Sequence, residues 1–154
     1  MQATSESAIW IKAPMADVAV VIVISASLPH PFIDQLHGAI NGWDQVACLV
    51  VEYPTALLSD WLRSGSNPTE SASTSSSQAQ LLLNSVPPNC YLLDVEADPV
   101  PGLAWLGSVL GHKLRVVELN GIAHTDAAMD EAVEQVLSAV RTLAKILLQE
   151  RCVL

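Results

Sequence analysis

The segment VAVVIVIS, residues 18–25, is an almost unbroken run of β-branched apolar side chains. A strand with one solvated face alternates polar and apolar residues, whereas a run without alternation is typical of a strand buried on both faces. Such strands belong to parallel sheets that are covered by helices on both sides. The segment therefore predicts an α/β fold. It is too short to cross a bilayer, which needs about 20 apolar residues.

Strand-like and helix-like segments alternate around this central strand. Four further strands are predicted from apolar stretches: Ala8–Ala13, Gln45–Tyr53, Cys90–Val95 and Lys113–Leu119. Helices are predicted from apolar periodicity and from prolines that open a segment: Pro31–Asn41, Pro54–Arg63, Gln78–Asn84, Gly102–Leu110 and Asp126–Glu150. The alternation predicts a three-layer α/β/α sandwich with a mostly parallel, Rossmann-like sheet. An antiparallel hairpin over Ala8–Ser25 is considered as its beginning.

The length of the chain predicts a single α/β domain over residues 1–154, interrupted by a flexible Ser-rich insertion at residues 64–79. The insertion, SGSNPTESASTSSSQA, holds seven serines and no large apolar residue, so it has little with which to pack. A solvated loop is the simplest interpretation, and a cluster of phosphorylation sites is the alternative.

Charge and cysteine content exclude several classes of protein. Sixteen acidic against seven basic residues give a net charge of −9, so direct binding of nucleic acid is not expected. Three cysteines without a CxxC pair form neither a disulfide framework nor a zinc cluster. Together with the polar N-terminal residues, they predict an intracellular, cytoplasmic protein without a membrane span.

The apolar content predicts an interaction surface. Hydrophobic residues make up 51% of the chain and charged residues only 15%, below the usual quarter. A small domain cannot bury every apolar side chain, so we expect a protein partner or a homo-oligomer to cover the surplus. The negative charge favours a partner with a basic rim. Trp43, Trp61 and Trp105 are the candidate interaction residues, because tryptophan is enriched at binding hot spots; packing at the edge of the core is the alternative.

Catalytic and cofactor motifs are absent from the sequence. Neither GxxxxGK[ST] nor GxGxxG occurs, and Pro29 and Pro31 remove backbone donors after the central strand, so a nucleotide phosphate site is disfavoured. GxSxG is also missing, and no two histidines have the spacing of zinc ligands. We therefore expect no cofactor and no metal, and we assign no catalytic residue.

The most site-like stretch is the loop Glu96–Gly102, which follows a predicted buried strand. In parallel sheets, ligands bind beyond the carboxyl ends of the strands. Glu96 and Asp98 are therefore the candidate ligand-binding residues, able to accept from a ribose or a base or to bind a cation. The alternative is a simple turn, since Asp98 precedes Pro99 and Asp-Pro pairs initiate turns.

Three segments resemble the second half of a Ras-like small GTPase domain: DQVACLVVEYPTALLSDWLRSG (44–65), PPNCYLLDVEAD (87–98) and LRVVELNG (114–121). In that family the second segment ends in a guanine-reading N/TKxD motif, of which Asp98 matches while Val95 and Glu96 replace the first two residues. The phosphate loop has no counterpart. The resemblance implies a G-domain-like sheet and a pseudo-GTPase, a shell that does not bind nucleotide and acts as a structural subunit.

A second resemblance is to nucleoside 2-deoxyribosyltransferase-like proteins. IWIKAPM (9–15) is similar to their first strand, and PGLAWLGSVLGHKLRVV (101–117) is similar to a later segment that carries their glutamate nucleophile. The matching region, Gly102–Leu110, contains no acid, so this likeness implies a fold without its catalytic residue.

Two functions follow from these observations. The first is a non-enzymatic α/β interaction or assembly subunit. The alternative is a nucleoside- or nucleotide-binding enzyme with a site near Glu96 and Asp98.

Overall fold

The structure, a computed structural model, describes residues 7–65, 77–97, 102–119 and 126–152. Five strands and the helices that connect them make up most of these residues. The strands are β1 (Ala8–Lys12), β2 (Val20–Ser25), β3 (Val46–Val51), β4 (Tyr91–Glu96) and β5 (Lys113–Glu118). The helices are α1 (His30–Ile40), α2 (Pro54–Gly65), α3 (Gln78–Leu83) and α4 (Asp126–Cys152), and a 3₁₀ helix spans Ala104–Ser108. The predicted α/β class is confirmed.

The strands form a sheet in the order β1-β3-β2-β4-β5. β2 lies at its centre and pairs in parallel with β3 and β4, and β4 pairs in parallel with β5. Only β1 runs antiparallel, against β3. The sheet is therefore mostly parallel, and the apolar clusters on both of its faces explain why the side chains of β2 need no polar alternation.

The considered hairpin between β1 and β2 is wrong. Both edges of β2 are occupied by β3 and β4, so β1 pairs with the outer edge of β3, with Trp10 opposite Leu49. The Lys12 side chain links β1 to the start of β3. Its Nζ donates to the carbonyl oxygen of Trp43, which precedes β3, and to that of Val46, the first residue of β3.

Apolar clusters cover both faces of the sheet. On one face, Ile22 and Ile24 of β2 belong to a cluster with residues of α1 and α4. On the other face, Val21 and Val23 belong to a cluster with residues of α2, α3 and the 3₁₀ helix. No helix within the described ranges is long and apolar enough to cross a membrane.

The predicted helix Gly102–Leu110 is observed as the shorter 3₁₀ helix. A Cβ at Gly107 would lie 3.1 Å from the Cβ of Leu114 and 3.3 Å from the carbonyl oxygen of His112, so glycine lets this segment approach β5 closely. Gly111 then takes a φ of 81°, which favours glycine, as the chain turns into β5.

The ends of the predicted Ser-rich insertion belong to helices. Ser64 and Gly65 end α2. Ser77 caps α3: its side chain accepts from the backbone N–H of Gln80, and the Gln80 side chain accepts from the backbone N–H of Ser77. This reciprocal capping gives the polar groups of the buried Ser77 their hydrogen-bond partners. Residues 66–76 lie outside the described residues.

Candidate functional site

A cavity of about 530 Å³ lies at the carboxyl edge of the sheet. It lies just beyond the ends of β2, β3 and β4, the edge at which parallel sheets bind ligands. Its polar lining residues are Ser25, Ser27, Glu52 and Glu96. We call this space the carboxyl-edge cavity.

The two serines present hydroxyl groups to the cavity. The backbone N–H of Ser27 donates to Oγ of Ser25 at 3.2 Å, and the two Oγ atoms lie 3.0 Å apart. The backbone N–H of Leu28 also donates to the carbonyl oxygen of Ser25. These bonds define the turn after β2 and hold both hydroxyls beside one another.

Glu96 is the buried acid of the cavity. It is the last residue of β4 and only 6% exposed. Its Oε2 accepts from the backbone N–H of Leu103 at 3.1 Å, and its carbonyl oxygen accepts from the backbone N–H of Leu119. Glu96 is therefore held in place on two sides, while Asp98, the other candidate ligand-binding residue, lies outside the described residues.

Asp94 lies behind Glu96 on the same face of β4, because strand residues two apart point the same way. It is fully buried, and its neighbours in the sheet register are Val23 and Val116, which offer no donor. Neither of its carboxyl oxygens has a hydrogen-bond donor in the described chain. Asp94 was not among the candidate residues.

The Asp94 carboxyl is held in its protonated form. Burial, a hydrogen bond with the Glu96 side chain and the negative charge of Glu96 raise the pKa of Asp94 to about 9. Two carboxyl groups can hydrogen-bond only when one carries a proton, so Asp94 donates to Glu96. At neutral pH Asp94 therefore keeps its proton.

The charges of the carboxyl-edge cavity are unsuited to phosphate. Glu52 and Glu96 line it, and among the residues described there no lysine, arginine or histidine does. Such a lining repels anions and accepts hydrogen bonds from donors. No group of three or more metal-ligating side chains occurs among the described residues.

A second cavity, of about 450 Å³, opens between α4 and the loop that connects α1 with β3. Its apolar lining includes Trp43, Val46, Val140, Ala144 and Leu148. Asp44, Arg141 and Lys145 also line it, and the Arg141 guanidinium lies 5.9 Å from the centre of the Trp43 ring. We call it the Trp43 groove.

The other two candidate interaction residues contact each other. The rings of Trp61 and Trp105 stack with their centroids 5.2 Å apart and an interplanar angle of 22°. Both are half-buried and pack against the cluster beneath α2 and α3. Their contact joins α2 to the 3₁₀ helix, whereas Trp43 belongs to an open groove.

Comparison with known proteins adds no assignment to this geometry. A scan against protein-family models and a search of curated proteins found no match to the chain.

Proposed function

We propose that this protein is a non-enzymatic α/β interaction or assembly subunit, a pseudo-GTPase whose three-layer scaffold binds a protein partner instead of a nucleotide. The observation that carries the proposal is the Trp43 groove, an apolar cavity with a half-buried tryptophan at the protein surface. Apolar pockets of this kind, anchored by tryptophan and arginine, are where binding energy concentrates in protein interfaces.

The charges of the groove favour a partner with an acidic segment. Only seven basic residues offset sixteen acids in the whole chain, yet Arg141 and Lys145 both line this groove, against a single acid there, Asp44. The groove therefore differs in charge from the molecule as a whole. We assign to it an acidic segment of another protein, with apolar side chains that contact Trp43 and Leu148 and carboxylates that face Lys145. Arg141 is already paired with Glu134 of the same helix. A basic rim elsewhere on that partner matches the net negative charge.

Nucleotide binding is disfavoured at the edge where G-domains hold phosphate. The carboxyl-edge cavity presents Glu52 and Glu96 there and no basic side chain among the residues described. We expect GTP and GDP with Mg²⁺ to leave the melting temperature unchanged. A bound ligand at 100 times its Kd would add about 2.7 kcal/mol of stability, so a nucleotide-dependent rise would overturn the pseudo-GTPase assignment.

The experiment that tests the groove is affinity purification with quantitative mass spectrometry, performed in parallel on three proteins. Wild type is compared with Lys145→Glu and with Tyr53→Ala, which alters an exposed apolar residue next to the carboxyl-edge cavity. We expect one stoichiometric partner to be lost with Lys145→Glu and retained with Tyr53→Ala. Partners retained equally by both variants would refute the groove as the interface.

A synthetic peptide from the partner's acidic segment then measures the contact directly. We expect Trp43→Ala and Lys145→Glu each to weaken peptide binding about tenfold or more, equivalent to 1.4 kcal/mol. Reversing one peptide acid to lysine should restore affinity for Lys145→Glu. Concentration-dependent dimerisation that Lys145→Glu abolishes would instead assign the groove to a second copy of the chain.

The nucleoside-handling alternative is supported by the position of Glu96, a buried acceptor in a cavity at the ligand-binding edge of the sheet. If it holds, guanosine or adenosine should raise the melting temperature of wild type and not of Glu96→Gln.

A further inference from the structure

We propose that the carboxyl-edge cavity binds a small organic cation, a ligand whose amine group contacts the carboxylate of Glu96. The proposal is independent of the Trp43 groove and of the partner assigned to it.

The size and position of the cavity fit a small molecule. Its volume of about 530 Å³ lies within the range of about 300–1,000 Å³ that is usual for ligand sites. It occupies the edge of a mostly parallel sheet at which the ends of three neighbouring strands meet.

The acid at its wall is positioned before any ligand arrives. Glu96 is more than nine-tenths buried and is fixed by the Leu103 backbone N–H at 3.1 Å. A side chain that is already ordered loses little conformational entropy on binding, which favours affinity.

Asp94 supplies the second, independent observation. It is fully buried behind Glu96 on the same face of β4, and its oxygens have no donor within the described residues. Burial raises the pKa of Asp94 to about 9, so Asp94 stays neutral at pH 7 and Glu96 is the acid that lines the cavity. A buried charge of this kind needs a counter-charge, and an incoming cation provides it.

The rest of the lining selects the class of ligand. Glu52 adds a second negative charge, and the hydroxyls of Ser25 and Ser27 can accept from the remaining hydrogens of an ammonium group. Phosphates and carboxylates are repelled. Because no three metal-ligating side chains converge in the described chain, an organic amine fits better than a metal ion.

Isothermal titration calorimetry with a panel of defined probes tests the site. The panel comprises putrescine, agmatine and tyramine, the uncharged analogue 1,4-butanediol, guanosine, GTP, and Ca²⁺ alone. Measurements at about 0.15 M salt, where the screening length is about 8 Å, suppress loose attraction of amines to the acidic surface. We expect at least one amine to bind with one-to-one stoichiometry, while 1,4-butanediol, GTP and Ca²⁺ do not bind.

Matched variants separate the site from the surface. Glu96→Gln keeps an acceptor for Leu103 but removes the charge, and we expect it to weaken amine binding tenfold or more. Glu52→Gln, at an exposed position, should weaken it about threefold. Asp94→Asn retains a donor to Glu96 and should change the amine affinity less than threefold. Glu131→Gln, on the exposed face of α4, should also change it less than threefold.

Several outcomes would overturn the proposal. They are amine binding that Glu96→Gln leaves unchanged, binding of guanosine, GTP or Ca²⁺ in place of the amines, and no binding by any probe at millimolar concentration. Because the Glu52→Gln position is exposed, that variant keeps the test decisive even if Glu96→Gln fails to fold.

Discussion

At the scale of single residues, the protein buries the carboxyl group of Asp94, to which no group in the described chain donates a hydrogen bond. Asp94 lies opposite Val23 and Val116 in the sheet register, and its carboxyl oxygens have no donor among the described residues. Its proton is therefore part of the folded structure, and the free energy of unfolding must depend on pH through it.

Asp94→Asn should remove this pH dependence. An aspartate in an unfolded chain has a pKa of about 4, whereas Asp94 in the fold titrates near 9. Between these values the folded protein keeps a proton that the unfolded chain releases, so wild-type stability falls as pH rises. The stability of Asp94→Asn relative to wild type should therefore grow between pH 5 and pH 8, by at most about 1.4 kcal/mol per pH unit.

Urea denaturation of both proteins across this pH range measures the difference. Asp17→Asn, at an exposed position, is the control and should follow wild type at every pH. A difference between Asp94→Asn and wild type that stays constant with pH would show that Asp94 is ionised in the fold.

Of the two neighbouring acids, Asp94 and Glu96, the sequence analysis predicted only Glu96 as a site residue. Glu96 could be predicted because it ends a buried strand, and strand ends define ligand-binding edges. Asp94 stands inside the same apolar strand, YLLDVE, and the spacing of two already places both acids on one face. The sequence does not show that Val23 and Val116 flank Asp94, because these valines belong to strands distant along the chain.

At the scale of elements, local pattern predicts the strands, the helices and the mostly parallel pairing, but not the order of the strands in the sheet. Apolar stretches place all five strands within two residues of their observed bounds. The position of β1 depends instead on which strands pair with β2. Because β3 and β4 occupy both edges of β2, β1 pairs with the outer edge of β3. The 3₁₀ helix likewise reflects its packing against β5, since its apolar residues and glycines also suit a longer helix.

Gly107→Ala should show that this close packing is required. The added Cβ would meet the Leu114 Cβ at 3.1 Å and the His112 carbonyl oxygen at 3.3 Å, neither of which is the end of a flexible side chain. We expect a loss of about 1–2 kcal/mol, typical of overpacking. Gly38→Ala in α1 is the matched control, because its Cβ meets nothing within 4 Å and alanine favours a helix by about 0.5–1 kcal/mol.

Thermal unfolding of the two variants decides the point. Gly107→Ala should melt below wild type and Gly38→Ala above it. If Gly107→Ala is as stable as wild type, the 3₁₀ helix can shift away from β5 without cost.

At the scale of the whole molecule, the two candidate sites lie at opposite ends of the sheet. Val46, which lines the Trp43 groove, begins β3, and Glu52, which lines the carboxyl-edge cavity, directly follows its last residue. The rise of a strand is about 3.3 Å per residue, so roughly 20 Å of rigid central sheet separates them. The proposed protein partner and the proposed small ligand would therefore not compete for one surface.

This separation predicts that the two sites act independently. Glu96→Gln should leave binding of the partner's acidic peptide within about twofold of wild type, and Lys145→Glu should leave amine binding equally unchanged. Any coupling must be reciprocal, so a ligand that alters peptide affinity by some factor must have its own affinity altered by the same factor. Titrating the peptide in the presence and absence of saturating amine measures that factor. A value far from one would mean that β3 or α4 has two arrangements and that the small molecule controls assembly, since no direct contact spans the distance.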